Sequence, residues 1–544
     1  MYTYPNIHAE SSRPEPGASA ARLGAVLLAV LILAGVLRFW LLPSRGLIFW
    51  DEGKFALEGL RMQAAMHSLF SGSAILDGKA VGTAKPGHAL LIALAYSLLG
   101  FGASSALALN AAASLAAVAI LFLICLRLFD ARIATISAAL LAVSQYDIIY
   151  ARSALSESDG LLFFLLAVLA WTYAWERIRR LWLSLGQRRL LLPAILLGIA
   201  FTINYRLVVY AAALIAFDLL AIVRADSWRR MFRRLIVWLV GFAIVPLVWV
   251  VLDGITRAHG LTLFRDELTG MPTTYLQEIV QQLHGGGQSS LHFSPGSYAG
   301  WFLDREGVSI AVLFAIGAVL ALVRPTFPRL LAFVLVVFPY AVYSIAPFIV
   351  PRSLHAAVPF AVVLAADALI SIFGSIRGGS IRNAILLLLP LLLIAQGAFM
   401  SWPLTDIRSG YAAAAHFVRA HGDRAVVTNE ILVFYLEARG SGCTAAHEVH
   451  RFSLLPPYRR TGFTLVVLDH PMSKLSPYVR RSFPRVATFP AAGSPKLGAD
   501  LIRAEHFPQS RAFGLRAVDV FRIPQSVAGG PARVPASSCS RERV

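Results

Sequence analysis

The sequence has little charge, few acidic residues and few cysteines. Of its 544 residues, 15% are charged and 57% are hydrophobic, and the mean hydropathy is +0.66. Soluble domains average about 25% charged and roughly 45–50% apolar residues, so a soluble globular protein is excluded. Apolar runs of roughly 20 residues recur along the chain, each long enough to cross a ~30 Å hydrocarbon layer. The composition therefore predicts a polytopic helical membrane protein.

The three cysteines exclude a cysteine-based metal site, because none of them has metal-site spacing. Cys125 lies in an apolar run, where a small buried hydrophobic side chain is expected. Cys443 and Cys539 both fall in the C-terminal part and could pair if that part is extracytoplasmic. The sequence also lacks an internal repeat at a fixed period.

The net charge of +19 indicates membrane topology rather than nucleic-acid binding. The basic residues lie mostly between apolar runs, as the positive-inside rule requires of cytoplasmic loops. Residues 1–22 are polar and are expected to be a disordered cytoplasmic N-terminus. The first apolar run, Leu23 to Leu42, has no small-residue cleavage site after it, which predicts a retained signal anchor.

About eleven membrane spans are predicted from the apolar runs. They fall at residues 23–42, 104–126, 131–149, 160–176, 189–203, 206–223, 235–252, 308–323, 330–347, 354–373 and 383–400. The 14-residue run "GHALLIALAYSLLG" is too short for a span and is assigned to the membrane surface. With a cytoplasmic N-terminus, Arg-rich connections such as "ERIRRLWLSLGQRR" then all face the cytoplasm, and the C-terminal segment lies outside.

The chain divides into a membrane domain and a smaller C-terminal domain. Residues 23–400 form the membrane domain, with outer loops at 43–103 and 253–307. Residues 401–526 are predicted to be an extracytoplasmic α/β domain, because "YAAAAHFVRAHG" has helical spacing and "AVVTN", "TLVVLDH" and "VDVFRI" are typical of short buried strands. Residues 527–544 are rich in Gly, Pro and Ser and are expected to be disordered.

Charged residues on the outer face are the candidates for a functional site. Asp51 and Glu52 follow a Trp in "LIFWDEGKFALEGLRM", and Glu157 and Asp159 lie in "YARSALSESDG". Carboxylates at the membrane edge are costly and tend to be functional, although a solvated loop end is the alternative for a lone pair. Three cations also fall on this face against the positive-inside bias, namely Lys85, Arg152 and Arg206. Each is either a snorkelling interface anchor or a donor to a lipid phosphate.

Carboxylates and cations together suit the transfer of a sugar from a lipid phosphate. The attacking hydroxyl needs a base, and the departing phosphate needs positive charge.

Three ordered segments carry a family resemblance. "FWDEGKFALEGLRM", "KPGHALLIALAYSLLGFGASSALALN" and the stretch from "RLFDAR" to "SESDGLLFFLLAVLAW" resemble the GT-C glycosyltransferases of family 39. That family includes dolichyl-phosphate-mannose protein mannosyltransferases and bacterial lipid A aminoarabinose and galacturonate transferases, and the resemblance covers roughly residues 45–225.

The resemblance implies a GT-C fold and an inverting transfer from a polyprenyl-phosphate-linked sugar. The acceptor would be a hydroxyl of an envelope glycan such as lipopolysaccharide, a lipid or a protein. The resemblance implies no nucleotide sugar and no obligatory metal, although use of a divalent metal ion varies across the superfamily. The excess of Arg over Lys and the many Ala residues favour a bacterial inner membrane.

The resemblance also assigns roles to particular residues. It implies that Asp51 is the catalytic base with Glu52 beside it, and that Lys85 contacts the lipid phosphate. The second acid of the family, usually Asp, corresponds to Glu157, with Asp159 as the competing assignment.

Two departures from the family pattern concern the cations and the surface helix. Family members commonly have "KPP" where this chain has "KPG", and often have Lys in the span that here carries Arg206. The segment "IVPRSLHAAVPFA" resembles a late family segment and adds Arg352 and His355 as phosphate-binding candidates.

The sequence gives less support to a metal site at other histidines and to two other functions. His284 and His292 lie eight residues apart in an outer loop without a carboxylate partner, and His447 and His450 lie in "HEVH", expected to be a loop, so neither pair predicts a metal site. A transporter or flippase of lipid-linked sugars would be favoured by inverted repeats and broken helices, which the sequence does not indicate. A non-catalytic scaffold for envelope assembly is the third alternative.

Overall fold

The fold is described from a computed structural model of the chain. It describes residues 16–71, 82, 84–180, 189–223, 228–258, 262–265, 272–283, 294–345, 350–374, 376, 379–420, 425–427, 430–437, 446–448, 465–468, 476–491 and 517–523. The predictions for Cys443, Cys539, His284, His292 and His450, and for the C-terminal tail, lie outside the described residues.

The secondary-structure elements described in the N-terminal half are helices, apart from an isolated bridge between Gly82 and Phe264. Its helices are α1 (Pro16–Phe39), α2 (Leu42–Arg45), α3 (Trp50–Ser71), α4 (Pro86–Leu99), α5 (Ala103–Leu128), α6 (Ala131–Val143), α7 (Gln145–Ala151), α8 (Glu157–Arg180), α9 (Leu191–Ile203), α10 (Leu207–Val223) and α11 (Trp228–Ala258). Since α1 begins at Pro16, the first helix starts earlier than the apolar run from Leu23 suggests.

The second half of the membrane domain continues the bundle. After the short strands β1 (Phe264–Arg265) and β2 (Pro272–Thr273) come α12 (Tyr275–Leu283), α13 (Pro295–Val323), α14 (Phe327–Ser344), a 3₁₀ helix (Pro351–Ala357), α15 (Val358–Phe373), α16 (Gly379–Ser401) and a 3₁₀ helix (Trp402–Asp406). We refer to the first of these 3₁₀ helices, Pro351–Ala357, as the 3₁₀ segment.

The long apolar helices confirm an integral membrane protein. Among the described residues, eight helices are long and apolar enough to cross a membrane, and α6 with α7 makes a ninth if this bent pair is one span. The α9 and α10 helices are apolar but shorter, because the chain turns at residues 204–206 between them. Each of the eleven predicted spans falls on one of these helices, and the helical membrane fold with a small α/β domain is confirmed.

Two helices break close together inside the bundle. The axis bends by 58° between α6 and α7, and α13 is kinked at Gly307, whose φ is 81°. Glu306, next to this kink, accepts hydrogen bonds from the Ser144 hydroxyl (2.6 Å) and the Tyr146 amide (3.1 Å) at the start of α7. The carboxylate thus satisfies backbone and side-chain donors that the broken helix leaves without an intrahelical partner.

The C-terminal domain contains a five-stranded mixed sheet. Its helices and strands are α17 (Tyr411–Ala420), β3 (Ala425–Val427), α18 (Glu430–Glu437), β4 (Ala446–Glu448), β5 (Leu465–Leu468), α19 (Ser476–Ser482), β6 (Arg485–Phe489) and β7 (Val518–Arg522). The strand order is β4-β3-β5-β7-β6, with β4, β3 and β5 parallel and β7 antiparallel to both β5 and β6.

The predicted helix and the three predicted strands of this domain are present as α17, β3, β5 and β7. The outer strands β4 and β6 were not predicted, because β4 is only three residues long and β6 is largely exposed, so neither forms a buried apolar run. His447 therefore lies on strand β4 rather than in the expected loop.

The C-terminal domain contacts the segment that leads into α3. The Tyr435 hydroxyl on α18 accepts a hydrogen bond from the Leu47 amide (3.1 Å), and the Ser409 amide donates to the Arg45 carbonyl (2.9 Å). These contacts fix the chain a few residues before Asp51.

Candidate active site

Five of the charged residues singled out from the sequence lie together at one end of the helix bundle. They come from the start of α3, the residue before α4, the start of α8, the turn before α10 and the 3₁₀ segment. They are Asp51, Lys85, Glu157, Arg206 and Arg352, and we call them the charged cluster. Burial lowers the pKa of Lys85 to about 8, and each of the other four members acts on the same ammonium group: Glu157 and Asp51 raise its pKa, and Arg206 and Arg352 lower it.

Asp51 lies in the first turn of α3, where the helix dipole favours a carboxylate. Its Oδ2 is 2.5 Å from Nη1 of Arg352, and the Asp51 side chain is 21% exposed. Asp51 is thus the carboxylate of the cluster that a second molecule can reach.

Glu52, the adjacent carboxylate, is fully buried and does not join the cluster. Its Oε1 accepts hydrogen bonds from Arg45 (2.9 Å) and from the Ala154 amide (2.9 Å). Its Oε2 accepts from the amides of Ile48 and Phe49. Because both oxygens are bonded to the protein itself, Glu52 ties the start of α3 to the loop before α8.

Lys85 is the N-terminal cap residue of α4 and is buried. Its ammonium donates to the Ser156 hydroxyl (2.7 Å) and lies 4.6 Å from the ring centre of Phe55 and 5.7 Å from that of Tyr205. An ammonium has three N–H donors, and among the described residues only Ser156 accepts one of them. The side chain thus keeps hydrogen-bonding capacity for an anion.

The structure separates the two candidates for the second acid. Glu157 Oε1 lies 3.4 Å from the Asn204 amide nitrogen and 3.7 Å from Nη1 of Arg206, and its Oε2 has no hydrogen-bond partner among the described residues. Asp159 instead contacts His88 Nδ1 (2.7 Å). Glu157 therefore lies in the charged cluster, and Asp159 lies outside it.

Arg152, which the sequence suggested as a donor to the lipid phosphate, does not lie in the charged cluster. Its guanidinium is buried and donates to four backbone carbonyls, those of Leu37, Arg38, Trp40 and Thr405. Burial, followed by the charges of Arg45 and Arg408, lowers its pKa to about 9. Both terminal nitrogens of the guanidinium are thus bonded to backbone carbonyls, and Arg152 joins the ends of two helices rather than the charged cluster.

His355 belongs to a network that the sequence reading missed. Its Nε2 lies 2.9 Å from Asp147 Oδ1, and the other Asp147 oxygen pairs with Arg38 (2.6 Å) and accepts from Ser114 (2.5 Å). All four side chains are buried within the bundle. Arg38 and Asp147 stand inside apolar runs, and that position of an ionisable residue was the available signal.

The network holds the 3₁₀ segment in place. The hydroxyl of Tyr146 donates to the Pro351 carbonyl (2.6 Å), and that of Tyr210 donates to the Ser353 carbonyl (2.9 Å). Residues three apart eclipse in a 3₁₀ helix, so Arg352 and His355 project from the same side. One reaches Asp51 and the other reaches Asp147.

The described residues include no group of three or more His, Cys, Asp or Glu side chains that could hold a metal ion. The charged cluster itself has three cations and two carboxylates, which makes it an anion site by composition.

Comparison with solved structures identifies the fold as that of the GT-C glycosyltransferases. ArnT from Cupriavidus metallidurans, in a structure bound to undecaprenyl phosphate, matches with a TM-score of 0.59 at 14% identity, covering 95% of this chain and 100% of that chain. The oligosaccharyltransferase AglB from Archaeoglobus fulgidus, in complex with an inhibitory peptide and a dolichol-phosphate, matches with a TM-score of 0.50 at 12% identity, covering 94% and 77%. The arabinofuranosyltransferase AftD from Mycobacteria matches with a TM-score of 0.50 at 14% identity, covering 94% and 40%.

The family model supports the same class. Residues 83–252 match the family described as dolichyl-phosphate-mannose-protein mannosyltransferase. No curated protein matches the chain significantly. The resemblance drawn from the sequence is confirmed, and the comparisons support a membrane glycosyltransferase.

Proposed function

We propose that this protein is an inverting glycosyltransferase that moves a sugar from a polyprenyl-phosphate donor to an acceptor hydroxyl at the outer face of the membrane. The observation that carries the proposal is the charged cluster, in which three cations meet two carboxylates at one end of a membrane bundle.

The three cations are the groups that would bind the donor phosphate. Lys85 and Arg352 are largely withdrawn from water, and Arg206 is 16% exposed. Charge-assisted hydrogen bonds to phosphate are stronger in such a site than in water, because the effective dielectric constant is lower. They would stabilise the negative charge that develops on the phosphate as it leaves.

Asp51 is the group that would accept the proton of the acceptor hydroxyl. The acceptor oxygen forms the new bond to the anomeric carbon, its proton passes to Asp51, and the bond from that carbon to the phosphate oxygen breaks with its electron pair on the phosphate. A single displacement of this kind inverts the anomeric configuration. Glu157 would keep Arg206 in place beside the phosphate.

Two of the similar proteins support a lipid phosphate as the donor's carrier, since their structures contain undecaprenyl phosphate and dolichol-phosphate. The sequence supports an outer-face site in a bacterial inner membrane, because its Arg-rich connections fall at the ends of the spans opposite to the cluster. An outer-face site favours an envelope glycan, a lipid or a protein as the acceptor.

A transporter of lipid-linked sugars is the second candidate, and the broken span α6–α7 is the observation in its favour. However, donors and acceptors at this break are bonded within the protein: Glu306 bonds Ser144 and Tyr146, and Asp147 bonds Arg38. The break therefore positions α7 and offers a substrate little at that depth.

The proposal is tested by incubating membranes that contain the protein with radiolabelled polyprenyl-phosphate sugars and an envelope extract. We expect label to move from at least one donor to a glycolipid, glycan or protein, and mass spectrometry of envelopes with and without the protein then identifies the product. Failure of every donor to give transfer, with movement of labelled lipid across the bilayer instead, would favour the transporter.

A further inference from the structure

Asp51 and Arg352 form a contact that opposes the role proposed for Asp51. Arg352 Nη1 lies 2.5 Å from Asp51 Oδ2, so a positively charged guanidinium is in direct contact with the carboxylate. A carboxylate paired with a guanidinium binds a proton less readily, because the cation stabilises its charged form. Without substrates, the site holds Asp51 in a state that is poorly suited to accept a proton.

The backbone that carries Arg352 is held firmly, whereas the guanidinium lies at the end of a long side chain. Tyr146 and Tyr210 bind carbonyls of the 3₁₀ segment, and the neighbouring His355 is bound to Asp147. The Arg352 side chain is 10% exposed and Asp51 is 21% exposed, so their contact lies toward the opening of the site. A change of partner would need movement of the side chain only.

The other cations of the cluster are arranged differently. Arg206 pairs with Glu157, which is buried, and Lys85 bonds an uncharged hydroxyl. Arg352 is therefore the cation whose partner is the proposed base. The donor phosphate is a diester with one negative charge, like a carboxylate, and its two non-bridging oxygens accept bidentate hydrogen bonds from a guanidinium. Its negative charge grows as the bond to the sugar breaks, so it competes with Asp51 for Arg352 most strongly during the reaction.

We propose that Arg352 exchanges partners during the reaction: it pairs with Asp51 when the donor is absent and with the donor phosphate when the donor is bound. This proposal rests on the proposed function. The exchange releases Asp51 only when a donor is in place, and the same guanidinium then stabilises the departing phosphate. Binding is thereby ordered, with the donor first, and Arg352 acts as a positioning residue for the base as well as a ligand of the phosphate.

The pH dependence of the reaction tests this exchange. With donor varied at a fixed acceptor concentration well below its KM, kcat/KM for the donor reports the ionisations of the donor-free enzyme, and the apparent kcat reports those of the donor-bound enzyme. If donor binding frees Asp51 from Arg352, the acid limb of kcat lies at higher pH than the acid limb of kcat/KM.

Other titratable or charged groups around Asp51 belong to several elements: Lys54 on α3, Lys85 before α4, Glu157 on α8, Arg206 before α10, and His355 beside Arg352.

Variants separate the exchange from the effect of those other groups. In Arg352→Gln the two acid limbs should lie closer together than in the wild-type enzyme, because only the charge of the donor phosphate then separates them, and the donor KM should rise. Arg352→Lys keeps the charge and should retain part of the separation. The matched control is Arg329→Lys, which alters a partly buried arginine paired with Asp367 (2.7 Å) near the opposite end of the bundle, and it should leave the separation intact.

Coincident acid limbs in the wild-type enzyme would overturn the exchange even if Arg352→Gln fails to fold. A separation in a folded Arg352→Gln that is as large as in the wild-type enzyme would overturn it too. Transfer that is present while the limbs coincide removes the exchange alone. Absence of transfer from every polyprenyl-phosphate sugar removes the proposed function and the exchange with it.

Discussion

At the scale of single residues, the site shows how two adjacent carboxylates come to have different roles. Asp51 and Glu52 both stand in the first turn of α3, but one faces a cation near the opening and the other faces backbone amides in the interior. A helix turns by about 100° per residue, so neighbours along the chain point to different surroundings. Their adjacency in the sequence therefore does not imply a shared function.

Glu52→Gln should destabilise the protein far more than Asp51→Asn. The amide of glutamine places a donor where Glu52 now accepts from Ile48, Phe49, Ala154 and Arg45, and removing one partner of a buried ion pair costs about 3–5 kcal/mol. Thermal unfolding of the detergent-solubilised variants measures the difference. Equal losses for the two variants would contradict the structural role given to Glu52.

Donor affinity should fall as the pH rises through about 8, because Lys85 loses its charge there. Burial is the main cause of this lowered pKa, and a bound phosphate opposes it by stabilising the ammonium. Titration of the purified protein with the polyprenyl-phosphate sugar, without acceptor, on either side of this pH measures the change. Lys85→Arg is the control: its guanidinium stays charged, so its affinity should vary less.

The same group has a defined effect on folding stability. Its pKa is lower in the folded chain than the ordinary value of 10.5, so between about pH 8 and 10.5 the unfolded chain binds more protons. The contribution of Lys85 therefore makes the free energy of unfolding rise with pH across that window. In Lys85→Met this contribution is absent, and comparing the slopes of stability against pH for the two proteins isolates it.

Much of the charged cluster is visible in the sequence, because ionisable residues beside apolar runs are rare and their order along the chain fits a known family. Asp51, Lys85, Glu157, Arg206 and Arg352 all meet in the structure. The sequence could not decide between Glu157 and Asp159, since both lie in one loop and their directions depend on how α8 begins. It also could not show that the donors of Arg152 are bonded to carbonyls that are distant along the chain.

At the scale of secondary structure, one departure from the family pattern has a steric explanation. The "KPG" sequence places Gly87 in the first turn of α4, against the end of α9. A Cβ at this position would lie 2.7 Å from the Thr202 hydroxyl and 3.0 Å from the Ile203 amide nitrogen. Glycine thus lets α4 approach the neighbouring backbone, and Lys85 is two residues away.

Gly87→Ala should therefore displace the start of α4 and weaken donor binding through Lys85. We expect an increase in donor KM with a smaller change in kcat, because the proton acceptor Asp51 lies on another helix. Gly100→Ala at the other end of α4 is not a suitable control, since its φ of 85° makes any side chain strained. Gly296→Ala is suitable, because a Cβ there meets nothing within 4 Å, and this variant should keep the wild-type KM.

Helices were easier to foresee than their interruptions. The apolar runs located every span, but residues 131–149 were predicted as one span although the polar stretch "SQYD" at 144–147 interrupts the run at the break. The break depends on Glu306, which lies about 160 residues further along the chain and caps α7. Interactions of this kind become visible only when the helices are packed together.

At the scale of the whole molecule, the two ends of the bundle differ in character. The site end carries the charged cluster and the contacts with the C-terminal domain. Near the opposite end, charges are held in pairs such as Asp218 with Arg234 (2.7 Å) and Asp367 with Arg329 (2.7 Å). The described charges of that end stabilise helix packing, whereas those of the site end include groups that can meet a ligand.

Labelling of single cysteines tests the topology on which the outer-face site depends. In a background where the three native cysteines are replaced by alanine, Val486→Cys on β6 should react with an impermeant maleimide added outside spheroplasts. Arg233→Cys near the start of α11 should react only after the membrane is opened. Both positions are exposed. The reverse pattern would place the charged cluster on the cytoplasmic side.

The most direct test of the account compares sugar transfer from a polyprenyl-phosphate donor by the purified wild-type protein and two aspartate variants. Asp51→Asn should reduce transfer by about 10²–10⁴-fold, the usual contribution of a general base, while donor binding persists because Lys85 and Arg206 are unchanged. Asp406→Asn removes an exposed carboxylate at the same end of the bundle and should transfer like the wild type. Wild-type rates in Asp51→Asn would contradict the account.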